Sequence, residues 1–175
     1  MYRRLLTALV VAAAVAAIGF AVAVGASARG DVLAEIRSAT ARFHSIEQAR
    51  AAGYVPFYVC AEEPGVGAMG QHFVNFDLVA DPAIDRRHPE ALVYEPKPGG
   101  GYRLVAIEWV RVGPREATPP TVLGVDLRYV DAPNRYGIEP GFYQRHLWLY
   151  ERNPLGAFED WNPRVSCGDE GDGGG

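Results

Sequence analysis

The segment Ala91-Leu-Val-Tyr-Glu-Pro-Lys-Pro-Gly-Gly-Gly-Tyr-Arg-Leu-Val-Ala-Ile-Glu-Trp-Val-Arg-Val112 decides the fold class. Two runs rich in branched and aromatic residues, Ala91–Glu95 and Arg103–Val112, flank the triplet Gly99-Gly100-Gly101. Such side chains favour extended backbone because they pack well on a pleated surface. Consecutive glycines supply the unusual backbone angles of a tight reversal. The segment therefore predicts a β-hairpin and, with it, an antiparallel sheet.

Similar short apolar or alternating runs lie on both sides. Tyr54–Cys60, Gln71–Ala80, Val122–Tyr129 and Tyr143–Glu151 read as further strands. The Gly113 to Thr118-Pro119-Pro120 stretch and the Pro- and Gly-bearing segment Asp131–Gly141 read as breaks. Upstream the periodicity changes. Val32, Leu33, Ile36, Ala39, Phe43, Ile46 and Ala49 recur at helical spacing, predicting one amphipathic helix over Asp31–Ala52. Asp31 is its expected N-cap and Gly53 its left-handed C-terminal residue. Helix and strands together predict an α+β domain, the helix packed on a curved antiparallel β-sheet or partial barrel.

The first 28 residues belong to a different category. Tyr2-Arg3-Arg4 precedes an apolar run from Leu5 to Gly25, and Ala26-Ser27-Ala28 follows. A basic start, a greasy middle and small residues at a cleavage site characterise a secretory signal peptide over 1–28. The length of the run leaves an uncleaved membrane anchor as the alternative. Both readings put the folded domain, 29–168, outside the cytoplasmic membrane, secreted or in the cell envelope. Residues 169–175, Asp-Glu-Gly-Asp-Gly-Gly-Gly, have nothing apolar to bury and read as a disordered acidic tail.

Cleavage after Ala28 leaves roughly 147 of the 175 residues, enough for one domain with a core. The chain has 17 basic and 21 acidic residues, and the leader holds two of the basic ones, so the exported part carries a net charge of about −6. Without a basic cluster, nucleic acid is excluded as the main partner. Cys60 and Cys167 are the two cysteines. In an oxidising compartment such a pair is read as a disulfide, and neither has a second cysteine at metal-site spacing. Closing so long a loop stabilises the fold by roughly 4–5 kcal/mol in chain-entropy terms.

Three polar residues interrupt apolar strands. His72 lies in Gln71-His-Phe-Val, Glu108 in Leu104-Val-Ala-Ile-Glu-Trp-Val, and His146 in Arg145-His-Leu-Trp-Leu. Strand alternation gives each of them apolar neighbours on its own face, and an isolated buried carboxylate is costly. Two imidazoles and a carboxylate on neighbouring strands can supply three metal ligands, suited to Zn, Fe, Mn or Cu, and leave a position open. A metal-free ligand pocket and a structural His–Glu network, or a pairing of Glu108 with Arg103, Arg111 or Arg145, explain the same residues. Asn75 falls on the opposite face of a regular strand. No catalytic residue is assigned, because Ser166 lacks a nucleophile-elbow context and no His-Glu-x-x-His helix occurs. The competing reading is a non-enzymatic envelope or secreted protein that binds a partner through Tyr129, Tyr136, Phe142 and Tyr143.

Several motifs carry a resemblance. Gly67-Ala-Met-Gly-Gln-His-Phe-Val-Asn75, Pro89-Glu-Ala-Leu-Val-Tyr-Glu-Pro96 and Arg103-Leu-Val-Ala-Ile-Glu108 are three of them. His146-Leu-Trp-Leu, Asn153-Pro-Leu-Gly-Ala-Phe and Trp161-Asn-Pro-Arg-Val-Ser-Cys167 complete the set. Together, from near Ala39 to Cys167, the chain resembles a family of exported bacterial proteins of unassigned function. The resemblance implies export and a single domain, and carries over no activity.

Overall fold

A computed structural model describes residues 29–168; the expected leader (1–28) and acidic tail (169–175) lie outside the described residues. The chain divides into two units, Met1–Ser38 and Ala39–Gly175. Of the first, residues 29–38 are described and helical, so Asp31 lies inside a helix and does not cap it. The second unit holds the sheet and the site.

The expected single helix over Asp31–Ala52 is interrupted. Residues 29–40 are α-helical (α1), Ala41–His44 form a 3-10 turn, and a second helix, α2, spans Ile46–Ala51. Ser45 causes the break. It is extended (φ −89°, ψ 118°), and its side chain accepts the Gln48 amide, capping α2. A serine amid helix-periodic apolar residues passes for an interior position because periodicity is blind to caps. Gly53 does end the helix in a left-handed conformation, at φ +90°.

Six strands form one wholly antiparallel sheet in the order β1-β2-β3-β4-β8-β7. They are β1 Val55–Glu63, β2 Gly67–Val74, β3 Ala91–Pro96, β4 Tyr102–Val112, β7 Arg128–Asp131 and β8 Gly141–Leu147. The glycine hairpin joins β3 to β4, as the quoted segment predicts. A two-stranded ribbon, β5 Thr121–Val122 with β6 Val125–Asp126, stands apart. The expected strand Val122–Tyr129 is thus three short pieces, because the β5–β6 turn at Leu123 and Gly124 takes positive φ at both residues. Gln71–Ala80 is also divided. Asn75 Oδ1 accepts the amides of Asp77 and Leu78, which stops β2 and starts helix α3, Phe76–Ala80. At the far end Tyr143–Glu151 is strand only to Leu147.

The register sorts the two faces. One row, Phe73–Leu92–Ile107–Leu147, crosses β2, β3, β4 and β8 and is buried throughout. Toward this side pack the ring of Phe73 against Tyr94 and that of Phe43 against Tyr54, while the Tyr94 hydroxyl donates to the Phe43 carbonyl. The neighbouring row, Val74–Ala91–Glu108–His146, points the other way. That face is the concave one: residues from both sheet edges, Phe57 on β1 and Val130 on β7, line one cavity. The sheet is a curled half-barrel, and the α+β class with a curved antiparallel sheet is what the structure has.

Cys60 and Cys167 are disulfide-bonded, with Cα atoms 5.6 Å apart. The bond fastens the segment after β8 to edge strand β1. The same segment forms a bridge from Asn162 to Ala68 on β2, with amide–carbonyl hydrogen bonds in both directions. Gly67 is required there, since a Cβ would lie 2.3 Å from the Asn162 carbonyl oxygen. Among the described residues no helix is long and apolar enough to cross a membrane.

Candidate metal centre

Glu108 and His146 are direct cross-strand partners on β4 and β8. His72 is two strands from Glu108, and only a curled sheet with small residues between them lets the side chains meet. Ala91 and Val93 on β3 and Ala106 on β4 are those small residues, all fully buried. Curvature and small side chains together open a space that His72 fills from one side and His146 from the other.

The three predicted residues converge. His72 Nε2 lies 3.2 Å from His146 Nε2 and 3.4 Å from Glu108 Oε2. One ligand atom from each residue lies within 4.8 Å of the others. All three are buried, and Trp148 stacks on the His146 ring. None of the arginines that sequence offers as partners reaches Glu108. Arg103 pairs with Glu95 and Glu151, Arg111 with Glu116, and Arg145 donates to the Asp126 carbonyl. Asn75 is occupied elsewhere too: it caps α3 and donates to the Ala52 carbonyl.

A fourth residue, Asp160, was not singled out in sequence. Its Oδ1 lies 3.5 Å from His146 Nδ1 and accepts the Gln144 amide at 3.1 Å, while Oδ2 pairs with Arg128 at 2.7 Å. The only signal in sequence is an acid next to Trp161-Asn162, with no apolar strand around it to mark it as buried. Its segment is held beside His146 by Trp148 Nε1, which donates to the Glu159 carbonyl, and by the Asn162–Ala68 bridge.

Electrostatics separate the two imidazoles. Burial first, then the neighbouring His146, pushes His72 down to about 3, so it is neutral at physiological pH. Burial also opposes charge on His146, but Glu108 and Asp160 outweigh it and raise its pKa. Burial raises Glu108. Asp160 is driven down to about 2: burial works against its charge, and His146, Gln144 and Arg128 prevail.

The three residues line a cavity of about 320 Å³, to which Asp131, Asn134 and Arg135 also contribute polar groups. Its other walls include Phe57, Phe76, Tyr136 and Phe142. Tyr136, in the loop after β7, contacts Phe57 and Tyr58 of β1, bridging the two open edges of the half-barrel. This alters the aromatic surface expected around 131–141. Phe142 and Tyr143 are buried, and Tyr136 and Phe142 face the cavity, so these rings do not form one exposed patch. No protein-family model, curated protein or solved structure matches this chain.

Proposed function

We propose that His72, Glu108 and His146 hold one divalent transition metal, with Zn, Fe, Mn and Cu as the candidates, in a protein that works outside the cytoplasm. The observation that carries this reading is the convergence of two imidazole Nε2 atoms and a carboxylate oxygen at 3.2 and 3.4 Å. Ligands bound at about 2.0–2.1 Å around a tetrahedral ion lie roughly 3.3 Å apart. The donor chemistry agrees, since His72 is held neutral and can give its lone pair. Asp160 beside His146 Nδ1 matches the outer carboxylate that orients a metal-binding imidazole through its second nitrogen.

Three protein ligands leave room for water or another molecule, the arrangement of catalytic rather than closed structural sites. A metal bound there supplies Lewis acidity or redox chemistry, so hydrolysis or oxidation is the reaction class if the protein is an enzyme. The chain's own residues orient the ligands, through Asp160 and Trp148, and exclude bulk water through the aromatic walls. A second reading has its own support. The 3.2 Å His72–His146 contact is also a hydrogen-bond distance, so a metal-free polar network satisfies the same geometry. Export is supported by the leader-like 1–28 segment, by the family resemblance and by the disulfide, which is consistent with an oxidising compartment.

Metal analysis of the full chain purified from an exporting host tests both parts. Close to one equivalent of transition metal per chain is expected. Glu108→Gln is expected to lose it, and Asp160→Asn to weaken it about 10- to 100-fold with the fold retained by circular dichroism. Absence of bound metal, with no uptake of added Zn, Fe, Mn or Cu, overturns the metal reading in favour of the hydrogen-bonded network. An N-terminus near Arg29 marks leader cleavage; a stable, reduced, cytoplasmic chain overturns export.

A further inference from the structure

We propose that the cavity receives a small hydroxylated aromatic molecule of the phenol class, its ring among the aromatic walls and its hydroxyl at the metal and Gln144. This rests on the metal reading above and names the ligand class of that site. Three observations carry it.

The first is shape and lining. A cavity of about 320 Å³ falls at the small end of the range for ligand pockets. Phe57 from β1, Phe76 from α3, Tyr136 from the loop and Phe142 from β8 bring four rings to it from four elements. Neighbouring rings in this group meet edge-on or tilted, as Phe57 does with Phe76 and Tyr136 with Phe142. Flat aromatic ligands are favoured by such walls, through stacking and edge contacts added to burial.

The second is polarity. Glu108, His72, His146, Gln144 and Asp160 belong to one cluster of contacts, which gives a ligand's polar group a place beside the proposed metal, while Asp131, Asn134 and Arg135 line the cavity from the end of β7 and the loop after it.

The third is an unmet acceptor. Gln144 is buried, and its Oε1 has no hydrogen-bond partner among the described residues. The bond from Nε2 to the Asp160 carboxylate fixes which way the amide faces, because only the NH₂ group can donate there. Oε1 therefore needs a donor. An ionised carboxylate head has no hydrogen to give, whereas a hydroxyl can place its oxygen toward the metal and its proton toward Gln144.

The test uses the full chain loaded with zinc, which binds without redox chemistry, and titrates 4-nitrophenol against nitrobenzene at a mildly acidic pH where the phenol keeps its hydroxyl proton. The two probes share the ring and differ in the hydroxyl. 4-Nitrophenol is expected to bind at least tenfold more tightly than nitrobenzene. Gln144→Leu is expected to remove most of that preference and leave nitrobenzene binding in place. Val110→Phe, at a cavity-lining residue that is not itself a proposed metal ligand, narrows the cavity and should weaken both probes at least tenfold at unchanged zinc affinity. Val130→Phe is the equivalent change on β7 should the first variant fold poorly. Equal affinity for the two probes, or binding indifferent to a folded cavity-filling variant, overturns the inference. Zinc binding is measured separately. A zinc-loaded chain that ignores 4-nitrophenol sinks the ligand class alone, whereas a chain that binds no transition metal sinks both readings.

Discussion

Glu90 shows how a single side chain can serve two demands at once. It precedes β3 and is almost fully buried, and its Oε2 accepts the Val110 amide on β4 at 2.9 Å. The carboxylate thus extends the β3–β4 ladder by one bond where the β3 backbone ends. Burial pushes its pKa up to about 8, against the opposing effect of that hydrogen bond, with Glu108 adding to the rise. The folded chain therefore keeps a proton that the unfolded chain releases above its ordinary value of 4.5. Stability from this group is fully present below that ordinary value and is lost as pH rises toward about 8. Glu90→Gln keeps an oxygen for Val110 and cannot ionise. It should gain on the wild type by a few kcal/mol as pH goes from about 5 to about 8, read by urea denaturation at each pH. A stability difference that does not change with pH would show Glu90 to be ordinary. In sequence this residue is one acid in an Asp- and Pro-rich connection. Its burial arises only when β4 outruns β3.

Strand β2 links the sheet to the C-terminal segment. Its first residue, Gly67, has φ +131° and touches the Asn162 backbone; further along, a Cβ on Gly70 would lie 2.6 Å from the Tyr94 carbonyl oxygen. Backbone on both sides of a contact cannot move aside as a flexible side chain can. Gly67→Ala is expected to cost roughly 2–4 kcal/mol, adding the lost contact to the strained φ. Gly65→Ala, in the adjoining turn at φ +77° but with open space around it, should cost only about 1 kcal/mol. Equal costs in chemical denaturation would remove the argument from close approach. Gly67→Ala should also weaken metal binding, since the Asn162 bridge positions Asp160. The glycine-rich stretch Gly65–Gly70 leads into a strand rather than a helix, so it lacks the helix N-terminus of a phosphate loop. Its actual use, letting two backbones touch, was not legible because the partner lies about 95 residues away.

At the scale of the whole molecule, the disulfide and the Asn162 bridge hold the far end of the chain against the edge of the half-barrel. Cys167 also donates its amide to Glu62, and Ser166 to Glu95, so side chains of β1 and β3 share the load. The double variant Cys60→Ser/Cys167→Ser is expected to lose about 2–5 kcal/mol of stability. In the wild type, alkylation of the denatured chain should need prior reduction; two thiols free without it would contradict the bond. What sequence alone determined is local or compositional. Branched and aromatic runs around a glycine triplet made the hairpin, oxidation chemistry paired the only two cysteines, and polar residues in apolar strands marked His72, Glu108 and His146. Each follows from near-neighbour preferences or from the cost of burying a charge. Only the tertiary structure decided the rest. The curl of the sheet over Ala91, Val93 and Ala106 brings His72 across two strands, and a bridge after β8 delivers Asp160 to His146. One wall of the cavity is Tyr136, which reaches from the loop after β7 to Phe57 and Tyr58 on β1. These depend on contacts between residues far apart in the chain, where spacing along the sequence carries no information about distance in space.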